Sequence, residues 1–225
     1  MNADQLTGRT RTHLIAGADA TAPALHPRVV VPFANLVGRA RAAGFDLVAV
    51  SAFRDFARQL EIWNAKYRGD RPLLDVCGMA LEAQALSAPD RIGAILHWSA
   101  LPGASRHHWG TDVDLIDRAV LAADGGDVLV AGNYAPGGPF GPLAHWLEDH
   151  AALYGFFRPY RGVRSGVQAE PWHFSFAPIS EPAREALTPA VLRSAIESAS
   201  LLGKEYVLSE LDRLHARYVA AIDMP

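Results

Sequence analysis

The sequence predicts an α+β fold: a small antiparallel sheet flanked by helices, with two extra helices at the C-terminus. Three observations carry this. Short apolar runs of strand length occur at Phe45–Val50, around Val113, Leu115 and Ile116, and at Phe174-Ser175-Phe176. Between them, apolar residues recur at helical spacing, most clearly Phe56, Leu60, Trp63 and Tyr67. After about residue 180 only the helical pattern remains, as Leu192, Ile196 and Ala199 and then Val207, Leu211, Leu214 and Tyr218.

In chain order, residues 1–25 are polar, Ala-rich and aperiodic, and read as a loosely held N-terminal arm, with a docked or swapped arm as the other reading. His26-Pro27 opens a helix, proline being favoured near a helix start, and Phe33, Leu36, Val37 and Ala40 continue it to Gly44. The run Phe45–Val50 is a strand leading into Ser51, and the amphipathic helix from Phe56 follows, with Arg54 at the junction. Residues 73–86 read as a helical connection, and Ser87-Ala88-Pro89-Asp90 starts a short helix through His97. Asp124-Gly125-Gly126-Asp127 is a turn between apolar flanks, a candidate hairpin. Pro142 starts a helix carrying Leu143, Trp146, Leu147, His150 and Tyr154. Phe157–Gln168 reads as a strand and a loop, with Arg158, Arg161 and Arg164 near a cleft entrance. Glu170–Phe176 is a strand. Thr188-Pro189 matches an N-cap and first-turn proline, and Gly203 divides the two C-terminal helices.

The chain has 225 residues, enough for one sizeable core and a small appendage. Net charge is −3 with no basic block, which argues against nucleic acid as a partner. A single cysteine, Cys77, excludes a disulfide framework and reads as a buried small hydrophobe. No apolar run reaches membrane-span length. The first 25 residues are too weakly apolar for a secretory signal, so the expectation is a cytoplasmic protein, or one whose export signal was removed.

Chemistry concentrates in two stretches. Ser105-Arg106-His107-His108-Trp109-Gly110-Thr111-Asp112-Val113-Asp114 packs two histidines and two aspartates into a loop and the strand that follows. Imidazole and carboxylate are ligand types of a catalytic zinc, which takes three from the protein and keeps one position for water. Strand alternation puts Asp112 and Asp114 on one face. Downstream, Glu170-Pro171-Trp172-His173 offers His173 as a third ligand and Glu170 as a general base. In a regular strand residues 170 and 173 face opposite ways, so both reach one metal only if the backbone twists or bulges, which Pro171 allows. Trp172 is read as a core residue or a cleft wall. His108 competes with His107 as ligand.

These motifs resemble the VanY-type D-alanyl-D-alanine carboxypeptidases, zinc metallopeptidases within the wider group that includes lysostaphin and the Hedgehog signalling domain. The family pattern SxHxxGxxxD matches Ser105, His107, Gly110 and Asp114, ExxH matches Glu170 and His173, and SxxRxxxxQ matches Ser51, Arg54 and Gln59. The resemblance covers roughly residues 26–177 and implies a zinc carboxypeptidase domain at 26–180, with 181–225 a helical extension packed on it. It implies zinc held by His107, Asp114 and His173, Glu170 as base, and Arg54 facing the developing oxyanion. Ser105, Gln59 and Ser51 would contact substrate, and Asp112, His108 and Trp172 would support the ligands. Only His107 has the family spacing to Asp114. Asp112 departs from the pattern, which has a small residue there, and reads as a carboxylate that orients a ligand imidazole. Read without the resemblance, Arg54 is a surface arginine paired with Asp55 or Glu61, Gln59 a solvated helix residue, and the three arginines after Phe157 solvated.

The implied activity is zinc-dependent hydrolysis of cell-wall peptides, releasing a terminal D-alanine from a peptide or from D-Ala-D-Ala, in a monomer rather than a dimer. The alternatives are a peptidoglycan endopeptidase of endolysin type and a non-catalytic, metal-bearing binding module. The glutamate at 170 argues against the last, because a structural zinc needs no base.

Overall fold

The computed structural model describes residues 1–15, 23–121 and 127–225. Its centre is a four-stranded antiparallel sheet in the order β1-β4-β6-β5: β1 is Leu47–Ser51, β4 Asp112–Asp117, β5 Phe156–Phe157 and β6 His173–Phe176. A two-stranded hairpin, β2 (Leu73–Leu74) and β3 (Ala80–Leu81), lies apart from it. The helices among the described residues are α1 (Ala3–Leu6), α2 (Pro27–Ala42), α3 (Phe56–Arg68), α4 (Ala88–Trp98), α5 (Gly141–His150), α6 (Ala177–Ala186), α7 (Pro189–Glu197), α8 (Lys204–Ser209) and α9 (Leu211–His215). This is the expected α+β class. No described helix is long and apolar enough to cross a membrane.

Strand alternation sorts the sheet into two faces. Val113 and Leu115 of β4 and Phe174 and Phe176 of β6 enter a core with Val29, Phe33 and Leu36 of α2 and Leu143 and Leu147 of α5. The intervening Asp112, Asp114, His173 and Ser175 lie on the other face, all buried. Beyond that face a second core joins Trp63 of α3, Ile92 and Ile95 of α4 and Trp109 to Leu192, Ile196, Val207, Leu211 and Leu214 of α7–α9. The N-terminal residues join it too: Leu6 is buried in this core, its carbonyl accepts from Trp109 Nε1 at 3.0 Å, and Ile15 bridges Leu25. The segment is therefore docked rather than loosely held.

Several local expectations are corrected. Residues 73–86 form a hairpin and a 3-10 turn, not a helix: the Asp75 carboxylate accepts from the backbone N–H of Cys77 and Met79 at 2.8 Å each, and Gly78 takes φ 80°, which closes a turn. Cys77 sits on that turn and is exposed, not buried. The tip of the candidate hairpin near Asp124 lies outside the described residues, and its flanks are 3-10 turns at Arg118–Val120 and Ala131–Tyr134 rather than paired strands. The last strand starts at His173, not at Glu170. The helix α6 was not anticipated; it carries Pro178 in its first turn and Pro182 inside.

Candidate metal centre

Three neighbouring strands supply the site. A register shift between Ala49 and Ser51 sets Ser51 opposite Asp114, and Asp114 faces His173 across the β4–β6 ladder. Before β4 the chain makes a 3-10 turn, Arg106–Trp109, closed by Gly110 in the left-handed conformation at φ 66°. A side chain at Gly110 would also strike Leu14 and the His26 backbone, so glycine is required on both counts. Every residue from Leu101 to Asp117 is buried.

His107, Asp114 and His173 each offer a ligand atom, all within 4.8 Å of one another. His107 Nε2 lies 3.4 Å from Asp114 Oδ2 and His173 Nδ1 lies 3.4 Å from Asp114 Oδ1. Ligands on a tetrahedral metal with bonds of about 2.0–2.2 Å stand about 3.3–3.6 Å apart, so the spacing suits such an ion. The outer nitrogens are committed elsewhere: His107 Nδ1 is 2.6 Å from the Ala52 carbonyl and His173 Nε2 is 2.9 Å from Asp112 Oδ1. A partner on the far nitrogen orients the ring and fixes which nitrogen faces inward. Asp114 Oδ1 is buried without a hydrogen bond, an uncompensated acceptor where a cation would bind.

Electrostatics agree. Burial opposes charge on His173, yet Asp112, Glu170 and Asp114 overcome it and push its pKa up to about 10. The carboxylates thus create a place that favours positive charge. Asp112 shows the opposite balance. Burial raises its pKa, but Arg106, His173 and Thr111 hold it well below the usual carboxylate range. Arg106 is buried, with Nε 2.9 Å from Asp112 Oδ1 and Nη2 2.6 Å from Ser175 Oγ, and it reaches Glu181 of α6 at 3.6 Å. Asp112 therefore anchors His173 from behind while Asp114 faces the centre.

Glu170 reaches the same centre because Glu170–Trp172 is a turn, not a strand. The His173 N–H donates to the Glu170 carbonyl at 3.1 Å, and Glu170 Oε2 comes within 3.2 Å of His173 Nδ1. Trp172 is buried against Tyr134 and Phe140 and also lines the cleft. Arg54 is half-buried, its guanidinium donating to Gln59 Oε1 at 3.0 Å and Ser51 Oγ at 3.3 Å. It is not paired with Asp55 or Glu61; Glu61 pairs with Arg58. Gln59 is fully buried rather than solvated, its amide donating to the Ala100 carbonyl at 2.8 Å. Ser105 lines the cleft. His108 does not address the centre. Its Nδ1 is 2.6 Å from the Arg54 carbonyl and its Nε2 accepts from Gly103 N–H at 3.2 Å. Burial, with Arg54 and His107 adding, lowers its pKa to about 3, so it is a neutral brace for the loop.

The centre opens into a cleft of about 390 Å³. None of Arg158, Arg161 and Arg164 lines it; Arg158 pairs with Glu148, and the other two are exposed. Its cationic lining comes instead from Arg54, Lys66, Arg71 and Arg106. Lys66 and Arg71 were missed because they belong to no motif. Arg106 was missed because it reads as an ordinary loop arginine, and Tyr160, whose ring meets His173 edge-on with centroids 5.1 Å apart, because it lies in an unpatterned loop.

With this geometry in view, the family profile described as VanY, D-alanyl-D-alanine carboxypeptidase, matches residues 22–179. The chain belongs to this family. Membership indicates a peptidase. A protein of Haemophilus influenzae, described as uncharacterised, is 32% identical over 121 residues, which is 53% of this chain and 92% of that protein. Among solved structures, VanYB in complex with D-Alanine-D-Alanine matches with TM-score 0.54 and 21% identity over 88% of both chains. A VanY D,D-pentapeptidase variant from the VanB-type vancomycin resistance cassette, in complex with Zn(II), matches with TM-score 0.52 and 22% identity over 86% of this chain and 88% of that one. At these identities the two structures bear on the fold.

Proposed function

We propose that this protein is a zinc-dependent carboxypeptidase or dipeptidase of cell-wall peptides that releases a terminal D-alanine. The observation that carries the proposal is the convergence of His107, Asp114 and His173 at ligand spacing, with the Glu170 carboxylate 3.2 Å from His173 Nδ1 at the base of the cleft. His107, Asp114 and His173 would hold the ion, and the relatives' Zn(II) and D-Alanine-D-Alanine complexes support the choice of metal and substrate. Zinc, when bound, makes water acidic near neutral pH and polarises a carbonyl.

The chain's own residues do the rest. Glu170 takes the proton of the attacking water and returns it to the leaving amine. The Arg54 guanidinium, held by Ser51 and Gln59, stabilises negative charge as it develops on the carbonyl oxygen. Gln59 and Ser51 thus position Arg54, and Ser105, on the cleft wall, contacts substrate. Asp112 and the Ala52 carbonyl hold the two imidazoles in orientation. The test is to incubate zinc-loaded protein with defined muropeptides and weigh the products. Loss of a single terminal alanine supports the proposal, cleavage inside the stem peptide identifies an endopeptidase, and no cleavage of any peptide refutes a hydrolytic role.

A further inference from the structure

Lys66 lies on α3, seven residues beyond Gln59 and so on nearly the same helix face. That spacing places it about 10 Å along the axis from Gln59, and a helical side chain leans back toward the N-terminus, here toward Arg54. Lys66 lines the cleft with Arg71, which follows the turn at Gly69, and both share it with Arg54 and Glu170. Among the described residues the Lys66 ammonium makes no hydrogen bond and no ion pair with protein. An ammonium largely removed from water without a partner is costly; Glu170 attracts it, while Arg71 and Arg54 repel it. Arg54, Lys66, Arg71 and Arg106 outnumber the carboxylates Asp114, Asp127 and Glu170 along the cleft, and a wall with surplus positive charge is completed by an anionic ligand.

We propose that Lys66 and Arg71 form a carboxylate-binding subsite of the cleft, which selects peptides carrying a carboxylate one or more residues from the bond addressed by Glu170. The inference rests on the peptidase reading and deepens it by naming what the substrate must carry. The carboxylate has two sources: the peptide terminus and an acidic side chain. The terminus lies about one residue from the scissile carbonyl, whereas a side chain further up the peptide lies on its other side, and extended peptide spans roughly 3.3–3.6 Å per residue.

The test uses the full zinc-loaded chain carrying Glu170→Gln, so that ligands are not consumed. Cleft tryptophan fluorescence reports binding of two matched pairs: D-alanyl-D-alanine against its C-terminal amide, and acetyl-D-glutamyl-D-alanyl-D-alanine against its glutaminyl counterpart. The acid of at least one pair should bind about 10-fold to 100-fold more tightly than its partner lacking that carboxylate, the range of a charge-assisted hydrogen bond. The pair that discriminates identifies the source. Adding Lys66→Met should remove most of that preference, while in the discriminating pair the Kd of the partner lacking the carboxylate moves less than about 2-fold, and Lys66→Arg should restore it. Circular dichroism and zinc content check that the variants remain folded. An acid preference unchanged by Lys66→Met, or no preference in either pair, overturns the subsite. If the parent chain still hydrolyses peptides, the peptidase reading survives that result. If no peptide binds or is cleaved, both fall.

Discussion

Asp112 and Asp114 stand two residues apart on one face of β4 and have different tasks. Asp114 keeps a buried oxygen uncommitted, while Asp112 is consumed by Arg106, Thr111 and His173. Asp112→Asn should weaken zinc binding about 10–100-fold, the usual cost of removing a supporting carboxylate. It should also lower thermal stability, because Arg106 is left buried without its main counter-charge. Chelator competition and a thermal melt measure the two effects, and unchanged zinc affinity would remove Asp112 from the supporting role. Glu170→Gln should lower kcat about 10²–10⁴-fold with zinc content unchanged; loss of zinc would make Glu170 a ligand instead. Lys66 gives a pH signature. Burial pulls its pKa down to about 8, Glu170 opposing and Arg71 and Arg54 adding. Between about pH 8 and the ordinary lysine range the unfolded chain holds more protons than the folded one, so this group makes stability rise with pH across that window. Comparing denaturation midpoints of the parent and Lys66→Met from pH 7 to 10 isolates the effect; identical pH profiles would contradict it.

At the level of elements, the loop that carries His107 is braced from behind by the N-terminal segment. Gly8 has φ 72°, its carbonyl accepts from Phe56 N–H at 2.8 Å, and a Cβ there would come within 2.4 Å of His108 Nδ1. His13 adds a contact of 3.0 Å from Nε2 to the His108 carbonyl. Gly8→Ala therefore combines left-handed strain with a clash against a buried ring. A cost of about 1–3 kcal/mol corresponds to a fall in Tm of roughly 2–12 °C. Zinc affinity should fall with it, because the displaced His108 is the neighbour of His107. A calorimetric scan and a zinc titration of the variant check this, and a wild-type Tm would show the segment to be dispensable. The turn at Glu170–Trp172 is the other decisive element: ending the strand at His173 brings Glu170 and His173 to one centre.

For the whole molecule, the candidate metal centre lies between two cores, one under α2 and α5 and the other shared by α3, α4 and α7–α9. Zinc that binds the folded chain alone stabilises it by mass action, about 4.1 kcal/mol at a free concentration 1,000-fold above Kd. Chelation should accordingly lower Tm by roughly 8–16 °C in a chain of this size, reversibly on adding zinc back. A Tm indifferent to chelator would argue against a resident ion. The C-terminal helices close the second core, and Leu214, Tyr218 and Val219 reach the cleft wall. We therefore propose that residues 181–225 are part of the working domain rather than a separate appendage.

The sequence by itself determined the class, most of the central sheet and the residues of the central cluster. Alternation in β4 and the spacing of Phe56, Leu60, Trp63 and Tyr67 are local patterns, and the motif residues His107, Asp114, Glu170 and His173 announce their chemistry by type. Only the tertiary structure decided which partners those residues have. That His173 Nε2 faces Asp112, that His108 turns away to the Arg54 carbonyl, and that Gln59 is buried rather than solvated depend on contacts between residues distant in the chain. The hairpin at 73–81 escaped because its leucines suit helix and strand alike, and an aspartate–backbone turn settled the choice. Lys66 and Arg71 were illegible for the same reason: a lone charge on a helix face or after a turn reads as solvated until the fold shows what it faces.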